Sequence, residues 1–156
     1  MPISATGRTR AESGFTLVET MVVLAIVGLM AAVVAVSLPS SEATLVRESE
    51  RLAARLLAAR DHAILANRET SAILDTRGYR FVMRDGKAWK PMDDAPLADA
   101  AWRGGTVPVL PENGEIRVSF DSVGMSEAQT LTLINDERRA VVRVLGSGEV
   151  RVDAGA

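Results

Sequence analysis

Residues 15–38, FTLVETMVVLAIVGLMAAVVAVSL, constrain the fold more than any other segment, being apolar almost throughout with Glu19 as the one charged residue. As a helix the 24 residues reach about 36 Å, at roughly 1.5 Å per residue, enough to cross a hydrocarbon core of about 30 Å. Arg8 and Arg10 precede the run against a single acid, Glu12. The positive-inside rule therefore leaves residues 1–14 in the cytoplasm and sends the remainder across.

Glu19 needs a reason. A carboxylate in mid-bilayer costs about 2.5–3.5 kcal/mol on insertion scales, less near an interface, and normally marks a partner. One reading is a secretory signal cut near the small residues Ala35-Val36-Ser37, although the apolar region is long for one. Another is an ordinary single-pass anchor in which Thr16 and Glu19 form a capping box. A third accounts for more: GFTLVE, residues 14–19, followed by an unbroken apolar run, resembles the processing signature of type IV pilins and pseudopilins. That resemblance implies a prepilin peptidase that cuts after Gly14 and methylates Phe15, leaving Glu19 as the fifth mature residue, where it assists assembly. The chemistry is coherent, because the amine freed at Phe15 and the carboxylate of a neighbouring subunit tolerate low dielectric together better than either alone. Gly14, lacking a side chain, lets the scissile bond approach catalytic groups closely.

After Pro39, which is expected to kink or break a helix, Leu45, Ser49, Leu52, Leu56, Ala59 and Ala63 recur at three- and four-residue steps, with Leu57 and Ile64 flanking. Arg47, Glu48, Arg51, Arg55 and Arg60 are expected on the other faces, and Asn67 is a plausible stop. With the membrane part, such a spine would run over residues 15–67, about 80 Å. From Thr70 the period becomes two: Tyr79, Phe81 and Met83 alternate with Arg80 and Arg84, Ile116, Val118 and Phe120 with Arg117 and Ser119, and Val142 and Val144 bracket Arg143. Turns are expected at residues 76–78, 85–87, 135–139 and 146–148; Asp-Gly and similar pairs favour tight hairpins because glycine accepts positive φ. A helix laid on antiparallel sheets, an α+β domain, follows.

Composition removes most chemistry. The chain has no cysteine and a single histidine, His62, so a histidine-based zinc site or a nucleophilic triad is not expected. No phosphate-binding glycine loop, HExxH or GxSxG pattern occurs. The acidic stretches at residues 92–94 and 135–137 lack the ligand spacing of a calcium loop. No cofactor, no metal and no enzymatic activity are expected.

FDSVGMSEAQTLTL and VLGSGEVRV, residues 120–133 and 144–152, resemble the C-terminal half of the GspH/FimT pseudopilin family, and residues 51–69 resemble its helix end and first-strand entry. Residues 92–114 match nothing in that pattern, and Ser122 stands where the family commonly has proline. The resemblance implies a pilin-like minor pseudopilin of a type II secretion system, helping to export folded proteins through the outer membrane. Its implied partners are the prepilin peptidase, other major and minor pseudopilins, the inner-membrane secretion platform and membrane lipid. The expected division is a leader at 1–14, a transmembrane helix at 15–38, an amphipathic helix at 39–67 and a periplasmic β domain at 68–156, held by one pass in the bacterial inner membrane.

The alternative is a FimT-like type IV pilus subunit that binds DNA during uptake, with contacts at Arg138, Arg139, Arg143 and Arg151. Against it, the region after Pro39 carries 16 basic and 18 acidic residues, whereas phosphate binding relies on a positive footprint, so nucleic acid is not the expected partner. Residues 91–105 are long for a connection; Leu97 and Trp102 within them are expected to pack on the sheet or contact a neighbouring subunit.

Overall fold

The computed structural model describes residues 16–37 and 40–154. The chain divides into two compact units, Met1–Leu38 and Pro39–Ala156. The first contributes one helix, α1, Leu17–Ser37. A second helix, α2, Ser41–Ala66, opens the other unit. The expected 53-residue spine is thus two helices, consistent with the break that Pro39 predicts.

Both ends of α2 are set by local sequence. Ser40 sits in extended backbone and its hydroxyl accepts the Ala43 N–H at 3.2 Å, satisfying one of the first turn's free donors. Asn67 ends the helix in the left-handed region (φ 50°, ψ 44°), its N–H returning to the Ala63 and Ile64 carbonyls. Between the caps, Leu45, Ser49, Leu52, Leu56, Ala59 and Ala63 are all buried, as their spacing predicts. Each of the three leucines contributes about 1.5–3 kcal/mol by leaving water.

The polar side of α2 departs from expectation. Glu48 is 3% exposed, its carboxylate 3.3 Å from Arg51 on the next turn. Arg55 turns onto the sheet, its guanidinium 5.2 and 5.3 Å from the ring centroids of Tyr79 and Phe81. Two residues expected on a solvated face therefore help cover the core, because long polar side chains bury their stems wherever the head finds a partner.

The strands are β1 (Thr70–Leu74), β2 (Gly78–Asp85), β3 (Ala88–Pro91), β4 (Ala100–Ala101), β5 (Val107–Pro108), β6 (Ile116–Phe120), β7 (Gln129–Asn135), β8 (Arg138–Val144) and β9 (Val150–Ala154). They form two antiparallel sheets: β3-β2-β1-β6, with β4 also pairing β2, and β5-β7-β8-β9. Helix α2 packs on both, against β1 and β6 of one and β7, β8 and β9 of the other. One continuous core results, with Phe81, Phe120, Val118, Leu131, Leu133 and Val142 fully buried beneath Leu52 and Leu56. Among the described residues, the core cluster is built from residues after Pro39. The expected turns lie at β1–β2, β2–β3, β7–β8 and β8–β9.

Residues 91–105 are more structured than a plain connection. Leu97 is 4% exposed within the core cluster, and β4 lies inside the segment. The Trp102 indole N–H donates to the Asp75 carbonyl at 2.8 Å, and its ring packs 4.9 Å from that of Tyr79. Arg55 ties the segment to α2, its Nε donating to the Pro96 carbonyl at 2.7 Å and an Nη to that of Ala98. Of the two expectations for Leu97 and Trp102, packing on the domain is the one observed.

Candidate functional site

Two regions carry chemistry: the start of α1 and the arginine-bearing faces of the sheets. Gly14 and Phe15 lie outside the described residues, so nothing is described of the expected cut and methylation site. Immediately beyond, Thr16 caps α1: its hydroxyl accepts the Glu19 N–H at 3.3 Å and its carbonyl accepts the N–H groups of Glu19 and Thr20 at 3.0 and 3.2 Å. Glu19 stands in the first turn, where the helix dipole favours a negative charge. Capping therefore accounts for the Thr16 side of the expected box. The Glu19 side chain itself is exposed and has no ion-pair partner among the described residues.

Every described side chain of α1 through Val33 is exposed, including Leu24 at 65% and Leu29 at 70%. Nothing in the amphipathic sense organises them, since apolar residues occupy all sides of the helix. Among the described residues no helix is long and apolar enough to cross a membrane. The apolar run read from the sequence begins at Phe15 and ends at Leu38, both outside those residues.

The structure brings Arg143 and Arg151 together: they are directly opposite in register on β8 and β9, both side chains exposed. It also surrounds them with acids. Arg143 meets Asp153 at 3.1 Å, Arg151 meets Glu149 at 2.7 Å, and Arg138 at the head of β8 reaches Glu42 of α2 at 3.7 Å. The Arg151 guanidinium beside it holds the Glu149 carboxyl below the ordinary range, and Glu149 in turn raises Arg151. Arg139 is exposed opposite Ile134. His62 is half-buried, with Nδ1 3.5 Å from the Thr70 hydroxyl. Among the described residues no three acidic or histidine side chains converge to hold a metal ion.

A second arginine group was not singled out from sequence. On the face of β3-β2-β1-β6 turned away from the main core, Trp89 of β3 lies with its ring 5.1 Å from the guanidinium of Arg84, its cross-strand neighbour on β2, and 5.2 Å from that of Arg117 on β6. Strands β2 and β1 separate Trp89 from Arg117. The two side chains must therefore reach over both strands to meet. This explains why β1 is buried at all five positions: Ile73, in register between Arg80 and Arg117, is 4% exposed although it stands outside the main core cluster. The sequence signal was present in Arg84 and Trp89 flanking the Asp85-Gly86-Lys87 turn, but the diagonal meeting with Arg117 depends on sheet order.

A capped apolar helix, followed by a separate unit in which a second helix lies across two antiparallel sheets, defines a pilin-like protein. Residues 9–35 match the prokaryotic N-terminal methylation motif. Residues 48–148, more than half of the chain, match the type II transport protein GspH family, and the chain belongs to that family. Among curated relatives it is similar to the type II secretion system protein H of Pseudomonas aeruginosa, 38% identical over 87 residues. That similarity covers 53% of this chain and 51% of the relative, so the match spans about half the relative's length. The fold is similar to that of the minor pseudopilin EpsH from the type II secretion system of Vibrio cholerae, with a TM-score of 0.61 at 16% identity over 75% of this chain and 98% of that one. It is also similar to the type IV minor pilin FimU of Pseudomonas aeruginosa, with a TM-score of 0.54 at 17% identity over 70% and 87% of the two chains.

Proposed function

We propose that this chain is a minor pseudopilin subunit of a type II secretion fibre supporting export of folded proteins across the outer membrane, and that it is a peptidase substrate, not a catalyst. The reading rests on one observation above all: a methylation motif over residues 9–35 precedes a GspH-type domain over residues 48–148 in a single chain. Prepilin peptidase cuts between Gly14 and Phe15 and methylates Phe15. The run over residues 15–38 anchors the subunit in the inner membrane, with the β domain in the periplasm, until the helix passes into the fibre among other pseudopilins, driven by the secretion platform. Glu19 then balances the amine at Phe15 of an adjoining subunit. Its position in the first turn of an otherwise apolar helix supports this role, since Thr16 satisfies the backbone there and leaves the carboxylate free for another partner.

N-terminal sequencing of protein recovered from its native membrane is expected to begin at Phe15; a start near Ser37 would indicate a secretory signal and Met1 an ordinary anchor. Replacing Glu19 by alanine is expected to leave insertion and cleavage intact while lowering incorporation into the fibre. Unchanged assembly and secretion would remove the charge-pairing role. The alternative, a type IV pilus subunit that takes up DNA, has the fold likeness to FimU in its favour. The acids beside Arg138, Arg143 and Arg151 count against it, because they cancel the charge that phosphates would require.

A further inference from the structure

The β domain carries most of its arginines in local ion pairs. On the outer face of β3-β2-β1-β6, Arg80 is held by Asp75 at 3.2 Å and Glu115 at 3.6 Å; on the opposite side of β2 by strand alternation, Asp85 takes Arg68 at 3.0 Å together with Lys90. Arg84 and Arg117 are the exceptions on this face. Among the described residues neither has a carboxylate within ion-pair distance, and what holds each is the Trp89 indole. Arg84 is further fixed by donation from Nε to the Gly86 carbonyl at 3.0 Å, which leaves its two Nη groups unused.

A guanidinium laid over an aromatic ring keeps its N–H edge directed outward, with much of its rotamer freedom already lost and the ring displacing water from beneath it. Two such groups over one indole form a pre-organised double fork of the kind that recognises carboxylates. We propose that the Arg84–Trp89–Arg117 face is a docking surface for an acidic polypeptide segment bearing at least two carboxylates. Charge and geometry favour a polypeptide over nucleic acid. Asp75 and Glu115 hold Arg80, which shares a register row with Arg117 through Ile73, and interrupt any track that a phosphate backbone would follow, whereas a short acidic segment needs only the two forks. An indole already covered by guanidinium groups is, moreover, a poor platform for stacking bases.

The test uses the full chain in non-ionic detergent, with a short alternating Asp-Gly peptide and an oligothymidylate as probes. The chain has two tryptophans, so the indole N–H signal of Trp89 is assigned in a heteronuclear spectrum by its loss in Trp89→Phe. The peptide is expected to move that signal saturably, with affinity falling as salt is raised. Arg84→Gln with Arg117→Gln is expected to weaken binding about two- to thirtyfold, as the loss of two exposed ion pairs implies. Arg143→Gln with Arg151→Gln, on the other sheet, should leave it unchanged. If the glutamine pair fails to fold, Arg84→Lys with Arg117→Lys keeps both charges and loses the forks, and is expected to bind more weakly than the parent. An unmoved Trp89 signal, equal losses in the two glutamine pairs, parental affinity in the lysine pair, or tighter binding of oligothymidylate than of peptide would each overturn the proposal. None of these outcomes depends on where the mature chain begins.

Discussion

Replacing Gly148 by alanine tests how the end of α2 is locked to the two loops below it. Gly148 is buried, has φ of 75°, and donates its N–H to the Leu145 carbonyl at 2.8 Å to close the β8–β9 turn. A methyl group there would fall well inside contact distance of the Gly124 carbonyl oxygen and 2.9 Å from Arg60 Nε. Arg60 is itself the link to the helix, donating from Nε to the Gly124 carbonyl at 3.3 Å. Two costs add. The left-handed backbone costs an L-residue about 1–2 kcal/mol, and the clash with backbone, which cannot rotate away as a side chain can, adds roughly 1–3 kcal/mol. The loss is therefore about 2–5 kcal/mol. For a domain of this size that corresponds to roughly 8–20 °C in melting temperature.

Gly86 supplies the control. Its φ of 62° imposes the same conformational cost, but a methyl group there meets nothing within 4 Å. Gly86→Ala is expected to lose only about 1–2 kcal/mol. Thermal and urea unfolding of the unit beginning at Pro39, followed by circular dichroism, measures both variants. The two alanine variants losing equal stability would refute the argument that contact between the loops, rather than turn geometry alone, holds this end of the domain.

Three further outcomes follow from the packing. Leu52→Ala removes a fully buried side chain between α2 and the sheets and is expected to cost about 2–5 kcal/mol in urea unfolding. Asn67→Ala places a less tolerant residue at the left-handed cap and is expected to cost about 0.5–1.5 kcal/mol, read from the same unfolding curves. For Asp75, burial alone would raise the carboxyl, but N–H bonds from Arg77 and Gly78 and the charges of Arg77 and Arg80 outweigh it and hold it below the usual range. A depressed folded value means that its stabilising contribution is complete above the unfolded carboxylate range, near pH 4, and is lost as pH falls through the folded value. The difference in urea midpoint between parent and Asp75→Asn is accordingly expected to be largest near neutrality and to shrink below about pH 4; a constant gap would contradict it.

What the sequence disclosed and what it hid divide along the range of the interactions involved. The stripe of α2 was legible because its period is local and its caps, Ser40 and Asn67, are residue types that act on their own backbone. The strands carrying Tyr79 and Phe81, Val118 and Phe120, and Val142 and Val144 were legible because one face is buried and the other wet. Strand β1 has no such alternation, since Trp89 and Arg117 cover its second face, and that cover depends on two strands lying between them. Strands β4 and β5 are two residues each, too short for any period to register. Glu48 and Arg55 were misplaced for a related reason: a charged residue at a boundary position of a helix goes inward or outward according to partners distant in sequence, here the Tyr79 and Phe81 rings and the Pro96 carbonyl for Arg55. In the candidate sites, the leader motif was legible as a motif, and the pairing of Arg143 with Arg151 followed from strand register. The acids that neutralise the latter were visible in the sequence, and only the fold put Glu42 beside Arg138.

The same physical condition links the two proposals. Exposed charges elsewhere on the domain either meet a local counter-ion or are hydrated freely, and either arrangement leaves little to be gained from a partner. Glu19 and the Arg84–Arg117 pair differ because each is carried on an apolar support, a helix otherwise almost wholly apolar in one case and an indole ring in the other. An apolar support thins the hydration of a charge without neutralising it, so that an incoming counter-charge has less water to displace and gains more on contact. On the function proposed above, a subunit passing from lipid into a polymer would need contacts that are weak while it is alone and strong once a neighbour arrives. Charges left without a counter-ion on apolar supports meet that requirement, whereas the paired arginines of β8 and β9, already neutralised, do not.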